Sequence, residues 1–320
     1  MASRKSPIFI FDNPRTGSQL LNQDFAKHPQ LEGTPGMISS WVWPLSVCGN
    51  ERLATKLQIS SEAVEADKVL EAEMVGWYKE KVDVDVNTMF TFENVRMGFE
   101  YNVNRVFGEG KIPFSREHRT SLLRQELLLE LVRTGRIAQP PSNPTYIPDA
   151  IFATIRNPVI LIRHPAKVIP SYYRSQRMKQ KYAISDEPMQ AWTLQKIGRF
   201  LYDHLASTDP VIVDGDDVMS KPRELSKKLC QIWGLEFSGC QFEWEEENDL
   251  SKSFPLSEPY MRTIFYSTGI QEKETRELNV DAEQVKWERE FGEGVAAGMR
   301  KMVDEDMECY EYLRGKKLQV

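Results

Sequence analysis

Three short groups of residues could do chemistry together. Pro14-Arg15-Thr16-Gly17-Ser18 follows the apolar run Ile8-Phe9-Ile10-Phe11. A strand that ends in a glycine turn and opens a helix gathers backbone N–H groups, here from Arg15 to Gln19, at the positive end of the helix dipole. That is a seat for one phosphate or sulfate. Gly17 keeps the approach open, Ser18 caps the helix or bonds the anion, and Arg15 adds a forked cation. The second group, Arg116-Glu117-His118, holds an imidazole that can accept a proton near neutral pH, beside a permanent charge. The third begins at Arg163 and reaches Ser171, within a stretch that carries Arg156, Arg163, Lys167, Arg174, Arg177, Lys179 and Lys181 and no acid. No G-x-x-x-x-G-K-[ST] pattern occurs, which disfavours ordinary ATP or GTP hydrolysis.

The elements that must position these groups follow from periodicity. Strands are expected at 8–11, 111–115, 159–162 and 211–213, with 116–118 at the C-terminal end of the second. Helices are expected at 19–27, 61–81, 121–134, 166–180, 189–205, 221–233, 283–299 and 305–312. Pro170 would bend the fourth of these or delay its start. Strands alternating with long helices predict an α/β fold: a single P-loop-like domain with a central, mostly parallel sheet flanked by helices. Ligands of such sheets collect outside the C-terminal strand ends, where all three groups fall. The whole chain, 1–320, reads as this one domain. Residues 29–107 form a helical, aromatic insertion on the substrate side, and 240–320 a C-terminal helical region.

Composition narrows the function. A net charge of −6 argues against bulk nucleic-acid binding but leaves room for a small anion in a basic pocket. No apolar run has the length of a membrane span, and the one after Arg4-Lys5 is too short for a secretion signal. The cysteines, at 48, 230, 240 and 309, have neither metal-site spacing nor the density of a disulfide scaffold. Reduced thiols in a cytoplasmic protein are expected, with no metal; a homodimer stays open.

The motifs, in this order, resemble the sulfotransferase family, whose members take a sulfonyl group from 3′-phosphoadenosine-5′-phosphosulfate (PAPS) and release PAP. They look closest to divergent sulfotransferase-like proteins of fungi associated with secondary metabolism. Pro14 to Ser18 resembles the 5′-phosphosulfate loop. Arg163 and Ser171 match the arginine and serine that bind the 3′-phosphate. Arg116-Glu117-His118 resembles the Lys-x-His strand end, in which the histidine is the base and the cation assists at the sulfonyl group. Asp214-Gly215-Asp216-Asp217 has the look of the fungal relatives, and Trp287 and Phe291 give a weaker echo. The resemblance implies catalytic roles for His118, Arg15 and Arg116, and donor binding by Arg15, Thr16, Gly17, Ser18, Gln19, Arg163 and Ser171. The chain departs from the family at Leu20, where cytosolic members carry an aromatic. Arginine replaces lysine at positions 15 and 116. The family's C-terminal Arg-Lys-Gly segment has no match, leaving Arg276 or Lys286 as substitutes.

Each residue also has a plainer reading. His118 could start a helix, and His164 could bond the backbone or serve as an alternative base. Arg174 and Arg177 fit an anion pocket or surface pairing to acidic helices. The Asp214–Asp217 cluster superficially resembles a magnesium site but, with no triphosphate-binding lysine beside it, reads as a strand-end turn and helix cap. Trp41, Trp43, Phe90, Phe92 and Tyr101 offer an aromatic pocket for a hydrophobic small-molecule acceptor, although at least half of the aromatics in 41–107 should be core. Three functions stay in view: PAPS-dependent sulfonyl transfer to a hydroxyl, donor-independent cyclisation, elimination or rearrangement of a natural product, and anion or nucleotide binding without catalysis.

Overall fold

The computed structural model of the protein describes residues 6–32, 46, 51–83, 85–246, 255–270 and 277–320. Its frame is one five-stranded sheet built from β1 (Ile8–Asp12), β2 (Leu31–Glu32), β3 (Ile112–His118), β4 (Val159–Ile162) and β5 (Val211–Asp214). The spatial order is β2-β3-β1-β4-β5, and every pairing is parallel. The α/β architecture expected from the sequence is therefore the one found. β1 lies at the centre, and the chain passes over it between β3 and β4. A crevice consequently opens at the C-terminal end of β1.

The main helices are α1 (Ser18–Phe25), α2 (Ser61–Val82), α3 (Phe92–Gly108), α4 (Gln125–Thr134), α5 (Pro165–Gln176), α6 (Glu187–Thr193), α7 (Lys196–His204), α8 (Pro222–Trp233), α9 (Ser257–Phe265), α10 (Val280–Phe291) and α11 (Glu293–Arg314). Both sheet faces are covered, so strand residues alternate between two cores. Phe9, Phe11, Ile160, Ile162 and Ile212 pack with α5, α7 and α11. Ile8, Ile10, Phe114, Val159, Leu161 and Val213 pack with α1 and α8. A third cluster joins α2 and α3 through Leu70, Met74, Val86, Phe90 and Val95, away from the strands.

Several expected boundaries move for identifiable reasons. β3 continues to His118 because its polar end stays in register with β1, Ile10 opposite Arg116 and Asp12 opposite His118. The expected helix 189–205 is two helices. The buried carboxylate of Asp306, on α11, accepts the Gln195 N–H at 2.8 Å and the Lys196 N–H at 3.3 Å, which starts α7 afresh. Helix 283–299 breaks at Gly292, whose φ of 86° is a left-handed value suited to glycine. Pro170 sits inside α5 without ending it, and Pro165 occupies its first turn. The short edge strand β2 carries too few residues to be read by periodicity. Among the described residues no helix is long and apolar enough to cross a membrane.

Candidate functional site

The loop after β1 is held open by its own backbone. Arg15 (φ 70°) and Gly17 (φ 91°) are both left-handed and flank Thr16, an arrangement that turns successive N–H groups to one side. Arg15 carries a side chain there, a strained choice that the surroundings must impose. Thr16 Oγ1 donates to the Asn13 carbonyl at 2.7 Å, so this hydroxyl closes the loop. Asn13 donates to the Leu194 carbonyl at 3.2 Å and accepts from the fully buried Arg119 at 3.1 Å. Arg163 Nη1 donates to the Arg15 carbonyl at 2.9 Å. From below, Gly215 presses on the turn, and a Cβ there would lie 2.0 Å from the Thr16 carbonyl oxygen. No side chain caps α1, whose first turn carries the buried Ser18 and then Gln19.

The expected phosphate-binding cations lie beside this loop, already joined to one another. Arg15 Nε donates to Ser171 Oγ at 2.9 Å, and its Nη1 donates to the Tyr260 carbonyl at 2.7 Å. Lys167 pairs with Asp216 at 2.6 Å, while Arg163 Nε stands 3.7 Å from the other Asp216 oxygen. That Nε and that oxygen are buried without hydrogen-bond partners. Burial lowers the pKa of Arg15, with the Arg163 and Arg174 charges adding to the effect. Burial likewise lowers that of Arg163, against the pull of Asp216 and Asp214. Asp214 accepts the Asp216 N–H at 3.0 Å and the Tyr310 hydroxyl at 2.9 Å, which makes the acidic cluster a cap and ion-pair network. Arg174 pairs with Glu290 and Arg177 with Glu62, the surface alternative. His164 caps α5 by accepting the Ala166 N–H at 3.1 Å.

Across the crevice, strand register brings His118 to a partner that the sequence reading missed. His118 Nδ1 lies 2.6 Å from Asp12 Oδ1, and Arg116 Nη1 donates to Asp12 Oδ2 at 3.1 Å. Asp12 is fully buried. Burial alone would raise its pKa, but the His118 and Arg116 charges and a Ser18 hydrogen bond override it and hold the group at about 2. Arg116 therefore faces a carboxylate on its own side of the sheet, while Glu117 points to the opposite face and accepts from Ser115 at 3.0 Å. The His118 and Trp192 rings pack edge-to-face, 5.8 Å between centroids. Asp12 had a readable signal, a charge ending an otherwise apolar buried strand. Asn13, Arg119, Gly215 and Tyr260 had none, because their roles depend on distant contacts.

The aromatic candidates separate. Phe92 stacks on Tyr146 at 4.3 Å and lines a cavity of about 470 Å³ with Arg96, Arg124 and Glu126. Phe90 packs in the third cluster, and Tyr101 is 69% exposed on α3. Trp41, Trp43, Cys48 and Arg276 lie outside the described residues; Lys286 pairs with Glu283. His28, Cys230 and Cys240 come together, which sequence spacing did not suggest. Both His28 nitrogens are nevertheless engaged by backbone, with Glu236 O at 2.9 Å and Gln30 N at 3.2 Å, so its lone pair already has a donor.

Comparison with known proteins gives two curated fungal relatives. Sulfotransferase ppzF of Metarhizium majus is 34% identical over 194 residues, 55% of this chain and 56% of that protein. Sulfotransferase ppzF of Metarhizium rileyi is 33% identical over 194 residues, with the same shares. The chain thus spans about half the length of the curated relatives it matches. Among solved structures, the sulfotransferase domain from the curacin biosynthetic pathway aligns at 18% identity and a TM-score of 0.37, over 81% of this chain and 79% of that one. The sulfotransferase domain from the Synechococcus olefin synthase aligns at 16% identity and a TM-score of 0.37, over 90% and 95%. No protein-family model matches the chain. The resemblance drawn from the motifs is borne out by this similarity to fungal sulfotransferases.

Proposed function

We propose that this relative of fungal sulfotransferases transfers a sulfonyl group from PAPS to a hydroxyl of a hydrophobic, aromatic small molecule. The observation that carries the reading is a convergence: the left-handed loop, the Arg15–Ser171–Arg163 group and His118 all meet at the C-terminal ends of parallel strands. The cradle fits an anion. Gly215 leaves no room for a side chain beneath the turn, and Arg163 keeps a buried N–H without a partner. PAPS would be held by the loop N–H groups with Arg15, Arg163 and Ser171, and would supply the sulfonyl group and a phosphate leaving group.

The chain's own residues then divide the work. His118 takes the acceptor's hydroxyl proton at the ring nitrogen turned away from Asp12. The loop dipoles and Arg15 stabilise negative charge that develops during transfer, in a site where they need not reorganise. Trp192 packs perpendicular to the histidine ring and gives it an apolar neighbour. Substitution of His118 by alanine should lower the rate by about 10²–10⁴-fold. The test is incubation with PAPS and a panel of phenols, with sulfonated product read by mass spectrometry. Gly215→Ala should abolish PAP binding, read by calorimetry, because its methyl meets the Thr16 carbonyl.

One observation favours a second reading. Asp216 already neutralises Lys167 and approaches Arg163, as a bound phosphate would. Donor-independent cyclisation, elimination or rearrangement would need no anion there. A product formed by the protein without PAPS would select that chemistry.

A further inference from the structure

We infer that Asp12 is a positioning residue that fixes which nitrogen of His118 carries the proton, and that Arg116 locks Asp12 into that task. This rests on the reading of His118 as the base. The argument needs only donor and acceptor chemistry. A guanidinium can donate but never accept, so the Asp12 oxygen facing Arg116 must be an acceptor. An ionised carboxylate accepts at both oxygens, so the 2.6 Å contact to His118 has its proton on Nδ1. The neutral ring then keeps its lone pair on Nε2. Without that constraint the two tautomers would compete, and the one with the proton on Nε2 cannot act as a base there. Register makes the arrangement rigid, since Asp12 and His118 are opposite one another in adjacent parallel strands and Arg116 lies two residues back on the same face. Asp12 is also bonded by Ser18 of the loop helix, which ties the dyad to the anion seat.

The lock makes an isosteric change disruptive. In Asp12→Asn the amide oxygen must face Arg116, which leaves the amide NH2 against His118 Nδ1. That nitrogen must then accept, and the ring proton moves to Nε2, where it blocks proton abstraction. We expect kcat to fall by about 10²–10⁴-fold, the worth of general-base catalysis, with about 10⁴ the loss when a catalytic histidine is held in the wrong tautomer. Removing the lock as well, in Asp12→Asn with Arg116→Met, frees the amide to turn its oxygen to His118.

The direct readout is long-range ¹H–¹⁵N NMR of histidine-labelled protein at a pH where the ring is neutral. The chain has four histidines, at 28, 118, 164 and 204, so the signals can be assigned by substitution. We expect Nδ1–H for His118 in the unaltered protein, Nε2–H in Asp12→Asn, and a return of Nδ1–H in the double variant. Nε2–H in the unaltered protein would overturn the inference by itself, even if the variants failed to fold. It would also be overturned by an Asp12→Asn enzyme with kcat within about threefold of the parent, well short of the loss that proton-transfer catalysis carries. The expected tautomers without any sulfonated product would leave the dyad standing and remove the sulfonyl-transfer reading instead.

Discussion

Asp12, which ends β1, and Asp24, in the last turn of α1, are both fully buried and have opposite fates. Asp12 meets Arg116, His118 and Ser18, and its pKa drops to about 2. The Asp24 carboxyl accepts from Ser226 Oγ at 2.8 Å, and among the described residues its other oxygen has no hydrogen-bond partner. Burial then dominates, against small contributions from Ser226 and Arg223, and raises its pKa to about 8. Burial by itself makes a carboxyl neutral; a charged one must be assembled from neighbours. Asp12 has those neighbours because β3 pairs with β1 in one register. Asp24 sits on α1 near the thiols of Cys230 and Cys240, which are 3.4 Å apart, and its carboxyl accepts from a hydroxyl where that of Asp12 accepts from a guanidinium.

The largest expected effect separates the two acids directly. Asp12→Ala leaves Arg116 and His118 without their shared partner and should cost about 3–5 kcal/mol in urea unfolding at neutral pH. Asp24→Asn should do the opposite and raise stability there. A next test is the pH dependence of each difference. The folded pKa of Asp24 lies above its unfolded value of 3.8, so its folded state binds the extra proton. Its contribution is complete below about pH 4 and is lost as pH rises through about 8. The stability gap between Asp24→Asn and the parent should therefore open over that window. Asp12 has the reverse sign: its contribution is present above 3.8 and is lost as pH falls through about 2. Parallel slopes for the two variants would break the comparison. Ser226→Ala should cost about 1 kcal/mol, the usual worth of one hydrogen bond, with most of the loss at high pH where Asp24 ionises. Glu62→Gln, which removes the exposed partner of Arg177, should leave the thermal midpoint unchanged.

The same contrast explains what could be read in the sequence. Strand cores were legible because Ile8 to Phe11 and Val159 to Ile162 are continuous apolar runs buried on both faces. His118 and Arg116 were legible as a strand end, with Glu117 between them on the other face, where it accepts from Ser115. Asp12 was within reach of the same rule, but its partner depends on which strand lies beside β1. The Asp306 contact that divides α6 from α7 joins residues 111 positions apart, and local periodicity carries no trace of it. Nor does it reveal that Gly215 supports Thr16, or that Arg15 turns to Tyr260. The aromatic pocket was least legible, since Phe90, Phe92 and Tyr101 share a composition yet occupy a core cluster, a cavity wall and open solvent.

Calorimetric titration of PAP into the protein and its Arg163→Ala variant, beside ATP and AMP, tests the central claim most directly. The account predicts selective binding in the micromolar range that is lost in the variant. Absence of PAP binding at both low and physiological salt would contradict it and leave donor-independent chemistry as the reading to pursue.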